Sequence, residues 1–521
     1  MTTTAADCAP PKATRREWIG LAVIAVPCLL YSMDLNVLNL AIPHLTADLN
    51  PSSTQLLWIV DIYGFLLAGF LIAMGTLGDR IGRRRLLMVG AGAFGIASVF
   101  AAFAQTAEML ILARAVLGIA AATLAPSTLS LIRNMFLDAR ERTTAIGVWV
   151  GCFAAGGVIG PLIGGILLEY FWWGSVFLLA VPIMALLLVL APMLLPEYRD
   201  PNAGRLDLAS AVLATGTVLA MIFGMKHVAI YGPHVAALAA LAASILLGAL
   251  FVRRQRRLTD PMIDLGLFKR PIFTAALCVN IIGVFAAFGS FLFITQYLQL
   301  VLGMGPLEAG MWLMPSGVVF VIGSILAPVI VRRYAPSRIL ASGFLIAATG
   351  YAVLTQISAN GDLWILILGF MLFCAGLAPM GALTTDLVMS DVPPERAGAA
   401  SGISETSFEF GAALGIAVLG SIVGAIYRAR MSDIALPELS ADRVHAIRET
   451  IGAAIEIAAS LDGIARSGLE TAARNAFTRA MQVAAFVSSA LALAAAFACW
   501  RFMSRSQTVT SAEQAAVEGR S

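Results

Sequence analysis

Residues 75–87 read Gly-Thr-Leu-Gly-Asp-Arg-Ile-Gly-Arg-Arg-Arg-Leu-Leu and stand between two apolar stretches of membrane-spanning length. The segment places four arginines and three glycines in one short connection. Glycine permits a tight turn, and clustered arginines are typical of loops that remain on the cytoplasmic side of a membrane. The segment therefore predicts a hairpin of two spanning helices that turns at the cytoplasmic surface.

The composition of the whole chain agrees with a membrane protein. Of the 521 residues, 59% are hydrophobic and 12% are charged, whereas soluble domains carry about 25% charged residues. The net charge of +3 is too small to indicate nucleic-acid binding. The six cysteines show no metal-ligand spacing, so neither a metal site nor a disulfide framework is predicted. The lipid bilayer is the expected solvent for most of the surface.

Fourteen apolar stretches can be delimited outward from this turn, each near the roughly 20 residues that a spanning helix needs. Their limits are 18–43, 55–79, 85–104, 107–132, 143–169, 174–195, 206–229, 235–252, 271–301, 309–331, 337–357, 363–388, 398–427 and 478–500. The fold class predicted is an all-α membrane protein with fourteen transmembrane helices.

The distribution of basic residues orients these spans. If the N-terminus is cytoplasmic, the six short loops on the outside contain no lysine or arginine. The loops on the inside carry Arg80/Arg83/Arg84/Arg85, Arg133/Arg140/Arg142, Arg199/Arg205, Arg253/Arg254/Arg256/Arg257/Lys269/Arg270, Arg332/Arg333/Arg338 and Arg396. This alternation obeys the positive-inside rule and predicts that both termini are cytoplasmic.

A weak internal repeat suggests how the spans are grouped. The sequence Ala327-Pro-Val-Ile-Val-Arg-Arg-Tyr-Ala-Pro-Ser-Arg338 echoes the basic turn at 75–87, which places one such turn after the second span of each half. The predicted organisation is a tail (1–17), a six-helix bundle (18–195), an inserted helix pair (196–270), a second six-helix bundle (271–500) and a tail (501–521).

Segment 428–477 is the exception to the charge pattern, because it is basic yet lies outside on this count. Long loops cross a membrane largely regardless of charge. Apolar and charged residues alternate at helical spacing over 440–475, which predicts two short amphipathic helices that form an external hairpin. A simple cap is favoured over a substrate gate.

The turn at 75–87 resembles the loop motif of the major facilitator superfamily, G-x-L-x-D-R-x-G-R-[KR]-x-x-L. The matching positions are Gly75, Leu77, Asp79, Arg80, Gly82, Arg83, Arg84 and Leu87. The resemblance implies two six-helix bundles and a conformational switch in this loop, which latches the cytoplasmic side of the two halves. Asp79 can offer its charge to a neighbouring helix N-terminus. A generic cytoplasmic turn is the alternative.

Further segments resemble the fourteen-helix drug:proton antiporters of that superfamily. The antiporter motif G-x-x-x-G-P-x-x-G-G is matched by Gly156, Gly160, Pro161, Gly164 and Gly165. Residues 33–43 resemble the family's first-helix signature, with Asn36 where threonine is usual, and residues 110–122 resemble its fourth-helix motif. Residues 404–411 resemble an acidic stretch of quaternary-ammonium exporters, with Ser404 at one acidic position.

Ionisable residues inside predicted spans are candidate site residues, because each costs about 2.5–3.5 kcal/mol at a helix centre. Asp34, Asp61 and Arg114 sit at similar depth in the first half, so mutual pairing is possible; Asp61 is also close enough to the interface to be merely solvated. Glu405 and Glu409 lie one turn apart on one helix face. The five residues predicted to bind protons and cations are Asp34, Glu405, Glu409, Asp61 and Arg114. A static Asp34–Arg114 pair is the alternative.

Two other sets of side chains stand out in the predicted spans. Lys226 and His227, at the end of the span 206–229, are interpreted as anchors at the membrane interface. Aromatic residues such as Tyr63, Phe288 and Phe408 are candidates to line a cavity for lipophilic cations.

The resemblance implies a proton-coupled multidrug exporter of lipophilic cations, such as quaternary ammonium compounds, dyes, biguanides and methyl viologen. Alternating access, an inner-membrane location and a monomeric state are expected from it. Energy would come from the proton motive force without a cofactor, and no catalytic residue is predicted, so the chain is not expected to be an enzyme. An exporter of an endogenous metabolite or siderophore is the alternative; a membrane sensor is less favoured.

Overall fold

The computed structural model describes residues 11–199, 207–232, 234–258, 261–359, 361–432 and 440–503; within them the only regular secondary structure is helix, with no strand. Asn36, Asn39, Pro43 and Pro161 belong to motifs cited above, but their side chains lie outside the described set, as do Cys8 and Arg205. The α-helices are α1 (Arg15–Leu49), α2 (Ser53–Ile81), α3 (Arg83–Ala102), α4 (Ala107–Met135), α5 (Ala139–Tyr170), α6 (Ser175–Leu178), α7 (Ala180–Leu194), α8 (Leu208–Tyr231), α9 (Val235–Gln255), α10 (Pro271–Gln296), α11 (Pro306–Val331), α12 (Pro336–Leu354), α13 (Leu363–Ser390), α14 (Ala397–Met431), α15 (Ala441–Glu449), α16 (Ile451–Ala459) and α17 (Gly463–Ala498).

The predicted number of spans is confirmed. Thirteen helices of the described chain are long and apolar enough to cross a bilayer, with α6 and α7 together forming one of them, Ser175–Leu194. The fourteenth is α5, which bends by 40° between its segments Ala139–Gly157 and Leu162–Tyr170. The bend falls where the sequence places Gly160 and Pro161, and proline removes one backbone hydrogen bond from a helix.

The helices extend beyond the apolar stretches that predicted them. The first span was predicted over 18–43, whereas α1 runs from Arg15 to Leu49. Its start is fixed by a capping box, in which the Thr14 side chain accepts from the backbone and Glu17 accepts from the Thr14 N–H. Hydropathy locates the part of a helix that lies in lipid, whereas the cap fixes where the helix begins.

Two large apolar cores organise the bundle. The first is built mainly from α1–α7 and the second mainly from α10–α17. The most extensive helix contacts between the two cores are those of α2 with α14 and of α5 with α11. In the second crossing, a Cβ on Gly147 would stand 3.0 Å from the Ser324 carbonyl oxygen, so glycine permits the close approach.

The pair α8–α9 is joined by Asp207, which caps the start of α8 and accepts two hydrogen bonds from Arg254 at 2.7 and 2.9 Å. The Arg254 guanidinium holds the pKa of the Asp207 carboxyl well below its usual range. On its other side α8 packs against both α2 and α14, with Val218 and Ile222 in a small apolar cluster with Phe65. The pair is thus attached along the α2–α14 crossing.

The predicted hairpin 428–477 is shorter than expected. Helix α14 continues to Met431 and α17 begins at Gly463, which leaves α15 and α16 as the two short helices between them. The first turns of α17 escaped the hydropathy pattern because they are amphipathic: Leu469 and Ala473 are buried, whereas Arg466 is exposed. The hairpin packs against α14, α17 and the π-helical turn Tyr297–Val301.

Candidate functional site

A buried ion pair occupies the centre of the first bundle. Arg114 Nη1 of α4 lies 2.6 Å from Asp34 Oδ2 of α1. The guanidinium also donates through Nε to the Ile59 carbonyl oxygen at 3.2 Å and lies 4.7 Å from the centre of the Tyr63 ring. The Arg114 side chain is 1% exposed and that of Asp34 is 15% exposed. Arg114 is therefore held on several sides, whereas Asp34 keeps an accessible edge.

That accessible edge borders a narrow cavity between α1, α3, α5 and the α6–α7 span. Besides Asp34, the cavity is lined by apolar side chains that include Val37, Phe94, Ile163 and Phe177. A carboxylate with Arg114 on one side and a small cavity on the other can change its protonation without loss of the surrounding packing.

Asp61 of α2 does not join this pair, contrary to the pairing considered from its depth. Its Oδ1 lies 2.6 Å from Lys226 Nζ of α8, and the ammonium also stands 4.9 Å from the centre of the Phe65 ring. The interpretation of Lys226 as an interfacial anchor stays a prediction; the structure adds that this partly exposed lysine is paired with Asp61. Hydropathy assigned α8 to the membrane but gave no indication that this helix packs beside α2.

Glu405 and Glu409 occupy successive turns of α14 and are both half-buried. Glu405 lies within electrostatic range of Cys28 and Tyr31 of α1, and Lys226 is a cation whose charge reaches Glu409. Within the described chain neither glutamate has a hydrogen-bond or ion-pair partner. Two acids without such partners face across the boundary between the bundles, so they can take up a proton or a cationic ligand.

An aromatic row crosses the same boundary at the level of these acids. Ring centroids are 5.2 Å apart for Tyr31 and Phe153, 5.7 Å for Phe153 and Phe408, and 5.3 Å for Phe408 and Phe288. The row runs from α1 and α5 in the first bundle to α14 and α10 in the second. Aromatic faces attract cations, so the row provides an apolar surface suited to lipophilic cations beside the carboxylates.

Asp79 of the predicted switch loop joins α2 to α14. Its Oδ1 accepts from the Gly398 N–H at 2.9 Å and its Oδ2 accepts from the Ala399 N–H at 3.0 Å. These are unpaired donors in the first turn of α14, where the helix dipole favours a carboxylate. Arg83 pairs with Asp79 at 2.7 Å and donates to the Pro394 carbonyl oxygen at 2.7 Å.

The backbones of α2 and α14 touch at this point. A Cβ on Gly75 would lie 2.3 Å from the Gly398 carbonyl oxygen, and a Cβ on Gly398 would lie 2.3 Å from the Gly75 carbonyl oxygen. Any side chain at either position would separate the helices. Gly82 has φ = 113° and a Cβ there would meet Glu197, so the turn itself also requires glycine.

The rest of the switch loop is tied to the chain that follows α7. Arg84 donates to the Leu195 carbonyl oxygen at 3.0 Å, and its backbone N–H donates to Glu197 at 3.2 Å. Arg80 is not free either, since it takes part in a further polar or ring contact. The loop therefore connects three segments at one end of the bundle.

A second connection between the bundles lies at the same end. Arg142 Nε of α5 is 3.0 Å from Asp386 Oδ1 of α13, and Thr143 donates to Asp386 Oδ2 at 2.5 Å. Arg133 of α4 donates to the Met389 carbonyl oxygen at 2.9 Å. Together with Asp79, these contacts close the end of the bundle that carries the basic loops.

Replacing Asp386 by asparagine is expected to lower the apparent unfolding temperature of the purified protein by about 2–4 °C. The change removes a mostly buried ion pair with Arg142 and leaves that guanidinium without its countercharge. Glu456→Gln, an exposed carboxylate beyond the first turn of α16, is the matched control and should leave the temperature unchanged. Equal unfolding temperatures for Asp386→Asn and the wild type would contradict a stabilising role for this pair.

The glycines of the antiporter motif in α5 lie against α1. A Cβ on Gly156 would stand 2.3 Å from the Leu29 carbonyl oxygen, one on Gly160 3.3 Å from Met33 Cα, and one on Gly164 2.5 Å from Val37 Cγ1. Gly165 has nothing within 4 Å of that position. Three of the four glycines thus let α5 approach the helix that carries Asp34.

Several residues of this site were missed from the sequence. Lys226 was detectable in principle, since it is an ionisable residue inside an apolar span, the criterion that selected Asp34 and Asp61. Asp386 has the same signal near the end of α13. Tyr31 and Phe153 have no such signal in the sequence. Apolar helices contain many aromatic residues, and the spacing of these residues along the chain does not show which of them contact each other.

Residues 26–416 match the family model described as Major Facilitator Superfamily. The chain is 44% identical over 490 residues to the multidrug efflux pump LfrA of Mycolicibacterium smegmatis, covering 93% of this chain and 97% of that protein. It is 34% identical over 503 residues to the methyl viologen resistance protein SmvA of Salmonella typhimurium, covering 94% and 99%. The crystal structure of the human organic anion transporter MFSD10 (TETRAN) has a TM-score of 0.59 at 14% identity, covering 93% of this chain and 100% of that chain, which is a likeness of fold.

Proposed function

The chain belongs to the major facilitator superfamily, and from that premise we propose that it is a proton-coupled antiporter that exports lipophilic cations across the inner membrane. Its relatives include a multidrug efflux pump and a methyl viologen resistance protein, which supports export of cationic compounds. The proposed substrates are quaternary ammonium compounds, dyes, biguanides and methyl viologen.

The observation that carries this proposal is the placement of Glu405 and Glu409. They stand on the second bundle, face α1 and Lys226 across the boundary between the bundles, and have no hydrogen-bond or ion-pair partner among the described residues. An acid on a boundary that opens and closes can bind a proton in one state and release it in another, because desolvation changes with access. The adjacent aromatic row supplies the apolar part of a site for a lipophilic cation.

The order of steps in the proposed transport cycle depends on which end of the bundle is closed in this structure. The basic loops mark the cytoplasmic end by the positive-inside rule, and that end is held shut by Asp79 and Asp386. In this state the acids exchange with the outside and take up protons as the drug leaves. Release of the Asp79 contacts then opens the inside, where the protons leave and the next cation binds.

The energy available supports this direction of transport. Each proton that moves inward across a potential of about 100 mV supplies about 2.3 kcal/mol, and a pH gradient adds to this amount. The exchange requires that a proton and a drug cation not occupy the same carboxylates together. Asp34, Glu405 and Glu409 meet this condition, because a carboxyl group that has bound a proton no longer carries the negative charge that attracts a drug cation.

Ethidium efflux tests the proposal. Cells that express the wild-type chain should extrude ethidium, and a protonophore should abolish the extrusion, because it collapses the proton gradient without touching the protein. Cells that carry the empty vector are the control for background efflux. Efflux that persists with the protonophore would contradict proton coupling. Failure to extrude or bind any lipophilic cation would favour the exporter of an endogenous metabolite or siderophore.

A further inference from the structure

Lys226 places a basic side chain on the inserted helix that packs against α14. It belongs to α8 of the inserted pair, five residues before the end of that helix at Tyr231. Its Nζ lies 2.6 Å from Asp61, and its side chain is 32% exposed against 17% for Asp61. A lysine within an apolar helix is costly unless it is paired, so the contact with Asp61 explains how α8 accommodates it.

The packing of α8 fixes the position of this ammonium between the two bundles. Helix α8 lies against α2 of the first bundle and α14 of the second, and Gly69 of α2 leaves room for Leu219 of α8. Lys226 pairs directly with Asp61 of α2, and His227 follows it on α8, with its ring 5.8 Å from that of His234. Glu409 belongs to α14, against which α8 packs, and forms no ion pair with Lys226 among the described residues. Lys226 thus pairs with a carboxylate of the first bundle and stands on a helix that packs against the glutamate-bearing helix of the second bundle.

The charge of the Lys226 side chain changes how strongly the site attracts a ligand of a given positive charge. With Lys226 present, Asp61 and Glu409 together retain one net negative charge when both are ionised. Without Lys226 they would present two negative charges. An added positive charge on the ligand is then attracted more strongly, since the interaction between charges scales with their product.

We propose that Lys226 is a positioning residue that sets the charge preference of the cation site, by acting as a resident counter-ion that pairs with Asp61 on a helix packed against α14, the helix that carries Glu409. With Lys226 present, the affinity of the site for divalent cations is lowered relative to its affinity for monovalent cations. The inserted helix pair thereby contributes to substrate selection, although neither of its helices belongs to the two six-helix bundles. This inference rests on the proposed function, because it assumes that cations bind beside Glu409.

Ethidium and propidium test this inference, because they share one aromatic ring system and carry one and two positive charges respectively. Their dissociation constants for the purified full-length protein can be measured by fluorescence at one ionic strength. In Lys226→Met, propidium affinity relative to ethidium should rise on the order of tenfold over the wild type. Lys226→Arg keeps the charge and should keep the wild-type ratio. Lys269→Met, an exposed lysine outside the spans, is the control for loss of a cation elsewhere.

The double variant Lys226→Met/Asp61→Asn distinguishes an effect of net charge on the affinity ratio from an effect of altered packing. It removes one positive and one negative charge, so the ratio should return to the wild-type value, whereas a packing defect at Lys226 would persist. It also removes the unpaired carboxylate, which guards against a single variant that does not fold. A propidium-to-ethidium ratio unchanged in Lys226→Met overturns the inference, as does a ratio that remains raised in the double variant. A wild-type protein that binds neither dye would instead contradict the proposed function.

Discussion

Asp34→Asn is expected to reduce protonophore-sensitive ethidium efflux by about a hundredfold, to the level of cells without the protein. Asparagine keeps the shape of the side chain but can neither bind the transported proton nor carry the charge that attracts a cation. It also leaves Arg114, which is 1% exposed, without its ion-pair partner. Efflux is measured in cells that contain matched amounts of each variant.

A loss of efflux from misfolding must be distinguished from a loss of proton exchange. The double variant Asp34→Asn/Arg114→Met removes both buried charges, so it should unfold at a higher temperature than Asp34→Asn yet still not transport. Glu169→Gln, an exposed carboxylate near the end of α5, is the matched control and should transport normally. Protonophore-sensitive efflux by Asp34→Asn near the wild-type rate would show that proton coupling does not require Asp34.

Gly398→Leu is expected to reduce efflux at least about tenfold by preventing α2 and α14 from meeting. A Cβ at Gly398 would stand 2.3 Å from the Gly75 carbonyl oxygen and 2.4 Å from Asp79 Oδ1, so the substitution disrupts both the backbone contact and the carboxylate that caps α14. The protein should therefore spend less time with the basic end closed.

The closed state can be followed with a cysteine at Ser127, which is 3% exposed and lies near Gly78 at that end of the bundle. In a background without the native cysteines, Ser127→Cys should react faster with maleimide when Gly398→Leu is present. Gly420→Leu is the control on the same helix, because nothing lies within 4 Å of a Cβ at Gly420. Equal labelling rates and normal efflux in Gly398→Leu would contradict a closing role for this contact.

The sequence predicted the helices well because membrane insertion imposes a simple physical condition on them. A stretch must satisfy its own backbone hydrogen bonds in lipid, so length and hydropathy identify it. The same condition explains the error at α17, whose first turns lie outside the apolar stretch and are amphipathic. The match of the basic turn at 75–87 to a known motif was enough to place Asp79 beside a helix N-terminus.

The contacts of the candidate site were less predictable, because they depend on which helices become neighbours. Depth along each helix brought Asp34 and Arg114 to one level, and they do pair. The same reasoning applied equally to Asp61, which pairs with Lys226 because α8 packs beside α2. Depth is a property of one helix, whereas pairing requires the angular position of two helices around the bundle, and a single sequence does not provide it.

The hairpin of α15 and α16 offers a practical route to imaging this transporter. Because the hairpin packs against α14, α17 and the Tyr297–Val301 turn, it should travel with the second bundle as one rigid unit. A nanobody raised against it would add a recognisable mass outside the detergent micelle without bridging the two bundles. Particles could then be aligned in electron micrographs and sorted by conformation while the transporter remains free to change conformation.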